Sequence, residues 1–191
     1  MSAGEMTQRI AEASPRFKAR TAGIFWLMVF LAGSLALFLG GGVAFSVANI
    51  VAPVCYIVVT LLLYDLLKPV NRNLSLLAAL FGLAGCAVSL FGLTPFIHLR
   101  DLVFFGLHCL LVGYLIFRST YLPRILGALM AFAGLGWLTL LWPPLAKYLS
   151  PYNLAPGMLG EGLLIVWLLV VGVNEQRWKE RASAAGESIR T

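Results

Sequence analysis

Charge is scarce in this sequence. Lys and Arg number 14 and Asp and Glu 8 among 191 residues, 12% in all, with 2 His. A soluble domain carries roughly 25% charged and about 45–50% apolar residues. Here 60% of the chain is hydrophobic and the mean hydropathy is +0.90, which excludes an ordinary water-soluble globule because the surplus apolar surface must face lipid. Cysteine is scarce too. Cys55, Cys86 and Cys109 all lie in apolar stretches without disulfide-framework, zinc or redox spacing, so they read as buried and reduced. There is no G-x-S-x-G nucleophile motif, no P-loop and no dinucleotide fingerprint. Two His and two carboxylates are donor types that suit zinc or iron, but no H-x-x-x-H or C-x-x-C joins them. No metal and no other cofactor is expected.

What the chain has in quantity is apolar runs of membrane-spanning length. About 20 apolar residues cross the ~30 Å hydrocarbon core as a helix, which satisfies its own backbone there. Six such runs occur, over 21–39, 43–67, 74–97, 102–117, 125–148 and 156–173. The fold class is therefore all-α: a polytopic six-transmembrane-helix bundle over 21–173, a basic segment 1–20 before it and a polar tail 174–191 after it. Gly40, Gly41 and Gly42 make the first turn, and Lys68, Pro69 and Asn71 the second. The first run is too long for a signal peptide and lacks a clear cleavage site, so it reads as a retained helix.

The net charge of +6 would suit nucleic acid only if the cations were clustered. They stand instead between the apolar runs, so no nucleic-acid partner is expected and membrane lipid is the surrounding partner. Arg9, Arg16, Lys18, Arg20, Lys68, Arg72, Arg118, Arg124, Arg177, Lys179, Arg181 and Arg190 fall on one side, against Arg100 and Lys147 on the other. This 12-to-2 bias predicts both termini in the cytoplasm. Trp142, Tyr148 and Tyr152 are then outer interfacial aromatics, and Tyr64, Tyr121 and Trp178 inner ones.

Small residues on the third helix (Ser75, Ala78, Gly82, Gly85, Cys86, Ser89 and Gly92) share an arc of roughly 120° and predict close packing on a neighbour. Gly106, Gly113, Gly127, Ala131 and Gly134 offer similar surfaces on the next two. On helix two, Ser46, Asn49, Pro53, Tyr56, Thr60 and Tyr64 form a polar stripe within roughly 80°. The stripe suits interhelical hydrogen bonding or the wall of a ligand cavity.

Ionisable groups inside a span are costly and are functional candidates by default. At 1.5 Å per residue, Asn49 lies about 9 Å, His108 about 10 Å and Glu161 about 8 Å below the outer helix ends. Three helices thus bring polar groups to one depth, with His98, Arg100 and Asp101 above them. The expected ligand-binding set is Asn49, Tyr56, Asp101, His108 and Glu161, with Glu161 and His108 within hydrogen-bond or one-water distance of each other. Each also has a purely structural reading: Glu161 as a partner of its helix dipole, His108 bonded to a carbonyl, Asn49 pinning two helices, and His98 to Asp101 as a wet interfacial turn.

The segments resemble a bacterial family of small multi-span proteins, the domain-of-unknown-function family numbered 4386. The likeness rests on Ser14-Pro15-Arg16 and Ala19-Arg20-Thr21-Ala22-Gly23 before the first span and on Leu66-Leu67-Lys68-Pro69-Val70-Asn71 after the second. It is strongest from Gly106-Leu107-His108-Cys109 through Gly113-Tyr114 to Phe117-Arg118-Ser119, then Leu122-Pro123-Arg124-Ile125-Leu126-Gly127. Gly160-Glu161, Trp167-Leu168-Leu169 and Gly172-Val173 complete it. The resemblance implies a six-span bundle in a bacterial inner membrane and brings no reaction with it. Three functions fit these residues: binding or moving a small lipophilic or amphiphilic compound, a membrane enzyme with Glu161 and His108 as acid and base, or a structural or accessory subunit. No oligomeric state is assigned.

Overall fold

The computed structural model describes residues 14–39, 41–93 and 101–187. Among them are eight α-helices and no strand: α1 Pro15–Leu39, α2 Gly42–Leu67, α3 Arg72–Leu90, α4 Asp101–Arg118, α5 Arg124–Leu138, α6 Pro143–Leu149, α7 Ala155–Val170 and α8 Glu175–Glu187. Six helical stretches are long and apolar enough to cross a membrane. This is a polytopic all-α membrane protein.

Consecutive spans are neighbours in space. α1 packs on α2, α2 on α3, α3 on α4, α4 on α5, α5 on α7, and α7 returns to α1. The spans therefore form a closed ring in chain order, with no span buried on every side. Each presents one face to the centre and another outward, where Ile24, Leu31, Val54, Leu61, Leu80, Leu135, Leu163 and Val166 lie exposed. Large exposed apolar side chains in such number are tolerable only against lipid.

Local chemistry sets the helix ends. Pro15 opens α1, where its missing N–H costs nothing, and the Ser14 hydroxyl accepts from Phe17 N at 3.2 Å. The helix thus begins six residues before the predicted span. Asn71 caps α3 by accepting from Leu74 N at 3.0 Å. Gly172, at φ +74°, sits in the left-handed conformation that favours glycine and ends α7; Gly172 N and Val171 N both donate to Trp167 O at 2.9 Å.

Three predicted spans need correction. The run 125–148 is not one helix. α5 ends at Leu138, a 3-10 turn covers Thr139–Leu141, and Trp142 is extended before α6 starts on Pro143 and Pro144. Adjacent prolines lack two donors and bias the residue before them away from helix, so they start a helix here instead of continuing one. The run 74–97 ends as a helix at Leu90, followed by Gly92 at φ +61°; residues 94–97 of that run, like His98 and Arg100, lie outside the described residues, as do Arg9 and Arg190. The last span ends at Val170 rather than at 173, and the polar tail contains the helix α8.

The end of the ring that holds α8 is tied by hydrogen bonds. The Asp65 carboxylate is shared by Lys18 of α1 and Lys68. Leu66 O, freed at the end of α2, accepts from Tyr121 Oη at 2.8 Å and from Trp178 Nε1 at 2.8 Å, which docks α8 on the bundle. Burial pushes the Tyr121 phenol up, so it remains a donor to that carbonyl. Arg16 and Arg20 reach from α1 to the carbonyls of Val171 and Val170 at 3.3 and 3.4 Å, satisfying the exposed acceptors at the C-terminus of α7.

Candidate functional site

Inside the ring, toward the end away from α8, all six spans contribute to a half-enclosed cavity of about 280 Å³. Of the five residues predicted for a site, Asn49, Tyr56, Asp101 and Glu161 line it, and His108 does not. Glu161 projects from α7 into a cage of donors. Trp137 Nε1 of α5 donates to Oε1 at 2.7 Å, Trp26 Nε1 of α1 donates to Oε2 at 3.1 Å, and the Cys109 thiol lies 3.9 Å from Oε1. Each carboxylate oxygen has two acceptor positions. Both therefore keep capacity after the indoles are satisfied.

Trp26 and Trp137 were not among the residues singled out from the sequence. Tryptophans of spanning helices concentrate at the two interfaces. Trp26 lies about 16 Å into α1 from Pro15 at 1.5 Å per residue and is fully buried. An indole at that depth needs an acceptor, and that is the signal by which the sequence points to a carboxylate at the same level.

His108 is buried on the α3 side of α4, where its Nδ1 pairs with Ala78 O at 2.8 Å. Its ring stands 5.5 Å from that of Tyr56, and no hydrogen bond joins it to Glu161. The expected Glu161–His108 pair is replaced by two indole–carboxylate bonds and one histidine–carbonyl bond, because the partners at matching depth lie on different sides of the ring. Gly82 makes room for this: a Cβ there would lie 2.9 Å from His108 Nδ1 and 2.8 Å from Thr60 Oγ1. Glycines flanking Glu161 differ in role. Gly160 packs on the Leu129 carbonyl and Ala133, while Gly162 faces open space.

The polar stripe of α2 divides along its length. Ser46 and Asn49 are exposed and bond their own helix, Ser46 Oγ to Gly42 O at 3.2 Å and Asn49 Nδ2 to Phe45 O at 2.8 Å. Asn49 therefore does not pin two helices through a hydrogen bond. Pro53, Tyr56 and Thr60 are buried. The Tyr56 ring stacks edge-on with Phe105 at 4.7 Å and with Trp26 at 6.0 Å. Its hydroxyl, beside the Cys109 thiol, makes no hydrogen bond of ordinary geometry. Asp101 Oδ1 accepts from Leu102 N at 3.0 Å. No group of three or more His, Cys, Asp or Glu among the described residues is arranged to hold a metal.

The family model for Domain of unknown function (DUF4386) matches residues 41–102 and 96–172. The chain belongs to the DUF4386 family. An uncharacterized protein of Archaeoglobus fulgidus is 36% identical over 127 residues, which cover 61% of this chain and 76% of that relative. No solved structure matches the chain. The matched residues of this DUF4386 protein include Asn49, Tyr56, Asp101, Trp137 and Glu161 and leave out Trp26. The family description carries no activity.

These hydrogen bonds set an expectation for helix two. Tyr56→Phe removes a hydroxyl that has only the Cys109 thiol beside it, and Asn49→Leu removes a bond within one helix. Neither is expected to lower thermal stability in detergent by more than about 0.5 kcal/mol, as read by the melting temperature of each purified variant. A Tyr56→Phe loss near the largest membrane hydrogen-bond values, about 1.7 kcal/mol, would mean the hydroxyl is bonded after all.

Proposed function

We propose that this protein binds or moves a small lipophilic or amphiphilic compound in the cavity that holds Glu161. The observation that carries this reading is an apolar, half-enclosed space bounded by six spans, with a carboxylate held open to it by two indoles. Ligand sites combine apolar walls with a few fixed polar groups in this way, and about 280 Å³ is near the lower end of their size. Asn49, Tyr56, Asp101 and Glu161 contact the compound. His108 supports the wall behind Tyr56. The alternative of an enzyme using Glu161 and His108 as acid and base loses support from the bond between His108 and Ala78 and from the absence of His108 from the cavity wall.

The proposal includes a bacterial cytoplasmic membrane, both termini in the cytoplasm and the cavity opening outward, on the strength of the 12-to-2 charge bias. Reporter fusions at either end are then expected to be active only on the cytoplasmic side, and a tag beside Tyr152 to be accessible from outside. A C-terminal reporter active on the outer side would overturn this orientation. Native mass spectrometry of the purified protein tests the function. The parent is expected to retain an organic compound in the few-hundred-dalton range that Gly33→Leu, which adds a side chain at a lining position with open space around it, does not retain. Equal retention by both would place the compound elsewhere.

A further inference from the structure

We infer that the compound taken by this cavity is a small organic cation, an amine or ammonium head on a short apolar body, with the head held by Glu161 against an aromatic wall in a space that Asp101 also lines. This rests on the reading of the cavity as a ligand site and adds the chemical class. Asp101 and Glu161 both line the space, and no Lys, Arg or His among the described residues does. Neither indole at Glu161 carries charge, so Trp26 and Trp137 orient the carboxylate without neutralising it. Inside a membrane a carboxylate without a counter-charge is unfavourable. A bound ammonium supplies that charge.

The walls fit the same head group. Phe30, Tyr56, Phe105 and Trp137 all line the cavity, and Tyr56 and Phe105 stand edge to face at 4.7 Å between ring centres. Aromatic faces attract ammonium groups through the ring quadrupole, the more strongly where water is excluded. Tyr56, only 4% exposed, adds a hydroxyl whose oxygen makes no hydrogen bond of ordinary geometry and is an acceptor for an ammonium N–H. An anionic ligand would meet two carboxylates and negative ring faces. A neutral one would leave Asp101 without a counter-charge and would require Glu161 to take up a proton. The number of acceptors, the sign of the charge and the aromatic lining all select a cation.

The experiment uses the full-length protein in a non-ionic maltoside detergent, with binding followed by tryptophan fluorescence and by the shift in melting temperature. Hexylamine, hexyltrimethylammonium, hexanol and hexanoate are the probes. Both cations are expected to bind at least about ten-fold more tightly than hexanol, the ratio expected from one charge-assisted contact, and hexanoate more weakly than hexanol. Glu161→Gln is expected to abolish the preference, so that the cations bind that variant no more tightly than hexanol binds the same variant. Asp101→Asn, which leaves both indole bonds to Glu161 in place, is expected to weaken the cations several-fold and serves if Glu161→Gln does not fold. Equal binding of hexanol and hexylamine overturns the cation assignment and leaves the cavity reading standing, and so does tighter binding of hexanoate. Failure of every probe to bind folded protein overturns both.

Discussion

Gly127→Val is expected to leave almost no monodisperse protein in detergent, with a stability loss of at least about 3 kcal/mol. A side chain begun at Gly127 would place its Cβ 2.5 Å from Phe117 N and 2.6 Å from Gly113 O; one begun at Gly113 would lie 2.6 Å from Ala131 N. These neighbours are backbone atoms of the facing helix, which cannot rotate away as a side chain can. Gly106 and Gly134 repeat the arrangement one step along, since a Cβ on Gly134 would lie 2.7 Å from Gly106 O. α4 and α5 therefore touch through four glycines, and any branched residue must push the two helices apart along the whole crossing. Without a hydrophobic force between helices in lipid, close backbone packing is what holds such a pair. The control is Gly162→Ala on α7, which faces open space and is expected to stabilise by up to about 1 kcal/mol through helix propensity alone. Gel filtration and thermal unfolding read both variants. A monodisperse Gly127→Val protein melting with the parent would show that the α4–α5 contact is looser than these distances require.

Much of this architecture is legible in the sequence because lipid imposes a simple demand on it. A span must be a long apolar run, so six runs separated by Gly40 to Gly42, Pro69, the turn around 98–101, Pro123 and Pro151 give six spans near the predicted places. The glycines of α4 and α5 likewise announce a close crossing, since small residues are what lets helices approach in a membrane. Pro143 and Pro144 were equally visible, but the apolar content around them outweighed the break they impose. α8 was less legible, because its docking depends on Trp178 meeting the Leu66 carbonyl, a pairing set by the tertiary fold.

The cavity shows where reading by depth stops. Counting 1.5 Å per residue brought Asn49, His108 and Glu161 to one level, and the structure does place Asn49 and Glu161 on one cavity. Depth carries no information about rotation around the ring, however. His108 turns to Ala78 on α3, and the groups that reach Glu161 come from α1 and α5. Only the order of helices around the closed ring, with α7 between α5 and α1, makes that pairing necessary. α7 has those two helices as its neighbours, and each offers one tryptophan at the right height.

That pairing predicts the second large effect. The double variant Trp26→Phe with Trp137→Phe is expected to lose about 3 kcal/mol, because it leaves a carboxyl group whose two oxygens each accept one indole N–H with only the weak Cys109 thiol beside it. Membrane hydrogen bonds average only about 0.6 kcal/mol, since the unfolded chain in lipid also finds partners. A stranded carboxyl is a costlier outcome than a lost neutral bond, which is why the larger figure applies. Part of the loss will be packing, because phenylalanine is smaller than tryptophan and Trp26 is fully buried. Adding Glu161→Leu separates the two contributions. The triple variant keeps the smaller rings but removes the stranded carboxyl, so it is expected to recover at least half of the double variant's loss. Glu161→Leu alone leaves two indole donors without their acceptor and is expected to be less stable than the triple variant, although it carries fewer substitutions. Replacing every member of a hydrogen-bonded group by apolar residues is commonly near neutral, whereas removing one member is not. Melting temperatures of the parent and these three variants decide the matter. If the changes simply add, with the triple variant the least stable of all, the indole bonds contribute no coupling energy and Glu161 is oriented by packing alone.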